Sequence, residues 1–303
     1  MSTLITGGAG LIGSAIVERL HERGETAVRF DLEGKQPSDT DVPFYAGDVR
    51  NYDALADAIE EHDPDRLVHL AAIIGSRTNE IPTEALQVNA VGTDNVFRAA
   101  KAYDIDRVAW TSTLGVYGPA SSYPTDAVSE ETVTPAAYNV YPASSFYRAM
   151  KQLNEYQSRM YAAEHGVDTR AVRPSVVFGP ERDRGWLGRF IDDAIETGES
   201  TIERPPDAAL PLVYMTDVAE LIVAVLLAEE PAHQVYNTGA NTVTARELAD
   251  VVEQETGGTV HCNPDAPPKA SPAEIGNDRA VEEFDYSLLS MADAVRDYIE
   301  RIS

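Results

Sequence analysis

Three glycines at three-residue spacing, Gly7, Gly10 and Gly13, separate a short β-branched run from an apolar-periodic one at the start of the chain. Ser2 to Thr6 has the composition of a buried strand, and Leu11, Ala15, Ile16 and Leu20 recur at helical spacing until Gly24. Glycines between a strand and a helix suit a nucleotide phosphate. Gly7 permits a tight turn, Gly10 lets the backbone approach a pyrophosphate, and Gly13 lets helix and strand pack closely. The helix N-terminus then presents free N–H groups to the negative charge.

The next run, Thr26 to Phe30, ends in Asp31, eighteen residues beyond Gly13. A carboxylate there accepts hydrogen bonds from the adenosine ribose hydroxyls and repels a 2′-phosphate, so the expected cofactor is NAD rather than NADP. Arg29 is the dissenting cation, and as a strand residue it is expected to face solvent. Asp48, in Gly47-Asp48-Val49 at the end of a third strand over Val42 to Tyr45, is expected beside the adenine.

Strand and helix signals then alternate. A helix opens at Asn51 and breaks at His62-Asp63-Pro64-Asp65, and a fourth strand covers Arg66 to Ala72. A long helix runs from Pro82 through Ala99, and a fifth strand spans Arg107 to Thr111. A helix over Phe146 to Glu164 leads to a sixth strand at Thr169 to Arg173. This order predicts an α/β, doubly wound parallel sheet with helices on both faces. Gly118 to Ala143, rich in Pro, Ser, Thr and Tyr, is expected to be a substrate-facing cover.

The remainder mixes shorter elements: helices near Leu187 to Glu196, from Asp217 and over Ser287 to Ile302, a strand near Pro211 to Tyr214, and a capping box at Thr244-Ala245-Arg246-Glu247. The expected division is a nucleotide-binding domain over residues 1–180, with return segments near 210–240, and a small interleaved substrate lobe mainly over 181–303.

Asp and Glu number 50 against 24 Lys and Arg, a formal charge of −26. Nucleic acid and anionic membranes are therefore not expected partners. The acidic residues are spread along the chain, as expected of a solvated surface in a salt-rich cytoplasm. One cysteine, Cys262, excludes an intrachain disulfide framework, no run of eighteen apolar residues is present, and no cleavable leader is expected. The expected location is the cytoplasm. Six scattered histidines and the lone Cys262 give no zinc-ligand spacing, and His69 is expected to be structural.

Tyr147 and Lys151 lie four residues apart, on one face of a helix. A phenol with a pKa near 10 is a poor base at neutral pH, and a cation beside it favours the phenolate. The fifth strand ends in Thr111-Ser112-Thr113, bringing hydroxyls to the sheet's carboxyl edge.

These features resemble the extended short-chain dehydrogenase/reductase family of NAD-dependent epimerases and dehydratases, built on a Rossmann-type fold. The resemblance runs through Thr6 to Gly13, Asp31, Gly47-Asp48-Val49, His69-Leu70-Ala71-Ala72, Asn89 with Gly92-Thr93, Thr113 with Val116-Tyr117-Gly118, Tyr147 to Lys151, and Arg173-Pro174 through Gly179-Pro180. It implies that Tyr147 is the acid/base, that Lys151 binds the nicotinamide ribose and tunes Tyr147, and that Thr113 orients the reacting oxygen. The implied cofactor contacts are Gly7, Gly10, Leu11, Ile12, Gly13, Asp31, Asp48, Val49, Leu70, Ala71, Ala72, Asn89, Tyr147, Lys151, Pro174 and Val176. The resemblance also implies a homodimer through the helices around Leu86 to Lys101 and Tyr147 to Ala163.

Two departures bear on the substrate. Nucleotide-sugar members carry Asn where this chain has Val176, and an Arg-Asp-Tyr where it has Leu210-Pro211-Leu212. The second stretch is similar to that of short-chain L-threonine dehydrogenases. Leu114 and Gly115 replace the Asp-Glu pair of sugar-nucleotide dehydratases, which disfavours 4,6-dehydration. Arg173, Arg182, Arg184 and Arg189 are candidate anion ligands, although in so acidic a chain each is expected to be ion-paired. The resulting expectation is an NAD-dependent oxidoreductase acting at a secondary alcohol or carbonyl of a small polar substrate: a sugar, sugar acid or hydroxy amino acid. The alternatives are a UDP-glucose-type 4-epimerase that retains its NAD and a non-catalytic NAD sensor.

Overall fold

The computed structural model describes residues 1–38, 41–134, 145–180, 187, 189–267 and 272–303. β1 (Ser2–Thr6) enters the glycine turn and α1 (Leu11–Glu22) leaves it, followed by β2 (Thr26–Asp31), β3 (Phe44–Ala46), α2 (Tyr52–His62) and β4 (Arg66–His69). Next come α3 (Arg77–Glu80), α4 (Pro82–Leu86), α5 (Thr93–Ala102), β5 (Arg107–Thr111) and a short β6 (Ala127–Val128). The 21-residue α6 (Ser145–His165) precedes β7 (Thr169–Arg173) and β8 (Val176–Phe178). The chain closes with α7 (Phe190–Thr197), β9 (Glu199–Ile202), β10 (Ala209–Tyr214), α8 (Met215–Leu227), β11 (Val235–Asn237), β12 (Asn241–Thr244), α9 (Ala245–Thr256), β13 (Thr259–Cys262), β14 (Glu274–Ile275), α10 (Asp278–Phe284) and α11 (Met291–Ile302).

The central sheet has seven strands in the order β11-β7-β5-β4-β1-β2-β3, all parallel. Alternate residues of β1 show how it is covered. Ile5 joins Val68, Ala109 and Val172 beneath α1 and α8, whereas Leu4 joins Leu67, Val108 and Trp110 beneath α2, α5 and α6. Residues 215–237 thus return to the main sheet, as α8 on one face and β11 at one edge. A third core lies under α7, α9 and α11 around Phe190, Leu210, Leu248 and Tyr298. There β12, β10 and β8 form a small sheet, with Leu212 opposite Val176.

Several boundaries differ from the sequence reading. The fourth strand ends at His69 rather than Ala72, because the glycine turn crowds the backbone beyond it: a Cβ on Gly7 would stand 2.8 Å from the Ala71 nitrogen. The third strand begins at Phe44, since Pro43 has no N–H to pair. Arg29, expected at the surface, is buried. It shares the sheet face of Ala27, and α1 and the glycine turn cover that face. The single helix expected from Pro82 contains a π segment over Gln87–Gly92. Val176–Phe178 forms its own strand in the small sheet. The short β9, β11, β12 and β13 and the helix α10 carry no periodicity long enough to read. The Thr244 capping box is present. The later part of the Gly118 to Ala143 cover, and Arg182 and Arg184, lie outside the described residues.

Candidate active site

A cleft of about 580 Å³ opens at the carboxyl edge of β1, β2 and β4. Gly7, Gly10, Leu11, Ile12, Gly13, Asp31, Asp48, Val49, Leu70, Ala71 and Ala72 all line it. Gly7 adopts φ 73°, a left-handed conformation that side chains resist. A Cβ on Gly13 would lie 2.5 Å from the Gly7 carbonyl oxygen, so only glycine lets α1 start this close to the turn. Gly10 caps α1 without a side-chain bond, which leaves the first-turn amides for a ligand.

Asp31 accepts from the Ala9 amide at 3.0 Å and from the Leu32 amide at 2.8 Å, so it braces the turn as well as facing the cleft. Asp48 is paired with Arg50, whose guanidinium holds its carboxyl below the usual range. A turn that excludes side chains, an uncapped helix end and a carboxylate at the end of the second strand fit a dinucleotide carrying a free 2′-hydroxyl. Lys35, Arg50 and Arg77 also line the cleft. The sequence reading missed them, because they sit in loops and a turn of helix with no distinguishing pattern.

The second cluster meets at the end of β5. Lys151 is buried, and its Nζ donates to the Thr111 carbonyl oxygen at 2.7 Å and lies 5.8 Å from the centre of the Tyr147 ring. Burial pushes its pKa down to about 8, opposed by the charge of Glu155. Thr113 caps the following turn, its Oγ1 accepting from the Gly115 amide at 3.1 Å. Arg173, a candidate anion ligand, is instead committed to Glu155 through two bonds of 2.7 Å and donates to the Tyr117 hydroxyl at 2.8 Å.

The remaining candidates act from behind or beside the cleft. Asn89 does not line it. Its side chain accepts from the Ile73 amide at 2.8 Å and donates to the Ile73 carbonyl at 2.7 Å, gripping the loop that forms one wall. The Asn89 and Ala90 carbonyls of the π segment also accept from the Asn154 and Gln157 side chains of α6. Pro174 is buried, and its carbonyl accepts from the Leu114 amide at 2.8 Å. Val176 is half-buried in β8. His69 bridges the Thr6 and Thr93 hydroxyls at 2.7 and 3.0 Å, and burial lowers its pKa to about 3. It is neutral and structural.

The profile of the NAD dependent epimerase/dehydratase family matches residues 3–239. A UDP-glucose 4-epimerase of Mycolicibacterium smegmatis is 31% identical over 295 residues, 91% of this chain and 88% of that protein. The mitochondrial L-threonine 3-dehydrogenase of Bos taurus is 27% identical over 259 residues, 82% of this chain and 67% of that protein. The crystal structure of L-threonine dehydrogenase from Phytophthora infestans superposes with a TM-score of 0.86 at 25% identity, covering 100% of this chain and 99% of that one. With its glycine turn and parallel sheet, the chain is an NAD-dependent enzyme of the dehydrogenase and epimerase kind, and it belongs to the NAD dependent epimerase/dehydratase family.

Proposed function

We propose that the protein is a dehydrogenase that oxidises the secondary alcohol of a small polar substrate, with a β-hydroxy amino acid of the L-threonine type as the first candidate. The observation that carries this reading is the pairing of Val176 with Leu212, beside the sequestered Arg173. Leu210 and Leu212 of β10 are buried in the third core, so this stretch supplies none of the side-chain donors that a diphosphate needs. A substrate would enter between the sheet's carboxyl edge and the segments beyond residue 180.

The cofactor contacts are those of the cleft, from Gly7 to Ala72, with Asp31 on the ribose. When bound, NAD supplies a hydride acceptor and donor. Tyr147 takes the proton of the substrate hydroxyl. The Lys151 ammonium favours its phenolate, and the Thr113 hydroxyl holds the reacting oxygen.

The second reading, a UDP-glucose 4-epimerase, is favoured by the 31% identical relative. One assay separates the two. NADH absorbance is followed in molar KCl with L-threonine, free sugars and sugar acids, and products are analysed after incubation with UDP-glucose or UDP-galactose. Net NADH with one small alcohol supports the dehydrogenase. Interconversion of the nucleotide sugars without net NADH overturns it.

Leu86, Val91, Leu153, Tyr156 and Met160 are exposed along the helical stretch Pro82–Ala102 and the adjacent α6. A second copy of the chain would bury this apolar surface, which supports a homodimer. The charge of −26 supports work in a salt-rich cytoplasm. No helix among the described residues is long and apolar enough to cross a membrane.

A further inference from the structure

We propose that Glu155 is a positioning residue that fixes the strand end carrying Thr113 against α6 and keeps the Lys151 side chain in its ammonium form. The proposal rests on the reading of Tyr147 and Lys151 given above.

Tyr147, Lys151 and Glu155 are spaced four apart on α6 and so stack along one face. The two lower side chains reach consecutive residues at the end of β5. Lys151 donates to the Thr111 carbonyl at 2.7 Å, and the Ser112 hydroxyl donates to Glu155 Oε1 at 2.7 Å. The helix therefore grips the strand at two adjacent points, and Thr113 is the next residue. Its backbone is extended, so its hydroxyl position follows from where Thr111 and Ser112 are held.

The charges form a set. Glu155 is buried and accepts a forked pair of bonds from buried Arg173, while Arg159 reaches it from the exposed side of α6 at 3.2 Å. Such charge-assisted bonds hold the carboxylate ionised. Around Lys151, His69 of β4 is neutral, and the Tyr117 phenol, raised by burial, is neutral too. Glu130 lies beyond Asn237, whose amide it accepts. Arg173 and Arg159 are cations. Glu155 is therefore the nearby anion that offsets the desolvation of Lys151, and among the described residues around it the ammonium would otherwise face neutral groups and like charge. A neutral Lys151 no longer assists the Tyr147 phenolate.

The test is an ultraviolet tyrosinate titration of the NAD-saturated protein. The Tyr147 transition is isolated by subtracting Tyr147→Phe from wild type, and Glu155→Gln/Tyr147→Phe from Glu155→Gln. The expected result is a transition that moves up by about one pH unit in Glu155→Gln, because Lys151 loses its proton first. Glu155→Asp, which keeps the charge, should stay near wild type. Folded Glu155→Gln with an unmoved transition would reduce Glu155 to a structural role and overturn the proposal. Should Glu155→Gln not fold, Glu155→Gln/Arg173→Met removes both charges together; it should shift the transition the same way by less, and no shift there would equally overturn the proposal. A wild-type Tyr147 that titrates like free tyrosine contradicts instead the reading of Tyr147 as the base.

Discussion

Asp31 accepts a hydrogen bond from the Ala9 amide at 3.0 Å, so one carboxylate both shapes the glycine turn and presents itself to the cofactor cleft. Asp31→Ala should weaken NAD binding about tenfold or more, the loss of one or two charge-assisted bonds, and narrow the preference for NAD over NADP. Titration calorimetry with both dinucleotides checks this. An unchanged NAD affinity would show that Asp31 serves the turn alone.

Lys151 sits in the fold at a thermodynamic cost. Its pKa falls from 10.5 to about 8 on burial, so below pH 8 the folded state carries the whole penalty of a buried cation. Stability should rise as pH climbs from about 8 to 10.5. Lys151→Met should stabilise the protein at pH 7 by about 1–2 kcal/mol after allowing for the lost bond to Thr111, while turnover disappears. Denaturant unfolding at several pH values measures the first effect, and a less stable Lys151→Met would refute it.

Asp217, near the start of α8, behaves in the opposite sense. Desolvation raises its pKa from 3.8 to about 6, although Oδ1 accepts from the Leu289 amide. The folded state holds its proton more tightly than the unfolded chain does. Stability contributed here should fall as pH rises through the interval from 3.8 to about 6 and stay level above it. Asp217→Asn, which keeps an acceptor for Leu289, should add about 1–2 kcal/mol at pH 7 and nothing below pH 4. A thermal melt series against pH decides the point.

The formal charge of −26 implies self-repulsion that counterions screen. The melting temperature should rise steadily with KCl up to molar concentrations. Full stability at low salt would show that pairs such as Arg301 with Glu18 and Arg296 with Glu255 suffice without screening.

Much of the frame is legible in the sequence because local signals agree with the tertiary arrangement. Ser2–Thr6, Arg107–Thr111 and Thr169–Arg173 are short runs with apolar centres between turn or loop residues, and each is a strand with those limits. The glycine turn and Asp31 can be read because their spacing is imposed by the ligand they suit. Other features depend on partners distant in sequence. Glu155 looks like an ordinary charge on a solvated helix face, and only its meeting with Arg173 and Ser112 buries it. Arg29 departs from expectation because alternation along a strand says which residues share a face, not that helices cover both faces. Val235–Asn237 and Thr259–Cys262 are too short to show a period, and their pairing comes from the strands beside them.

The most direct test of the account is turnover and NAD affinity of Tyr147→Phe, measured side by side with the substrate that gives activity in wild type. Removing only the phenolic oxygen should lower kcat at least a thousandfold, consistent with loss of an acid/base of about 10³-fold effect, with NAD affinity within about twofold of wild type. Activity within about tenfold of wild type, with the cofactor still bound, would contradict the assignment of Tyr147 as the group that moves the proton.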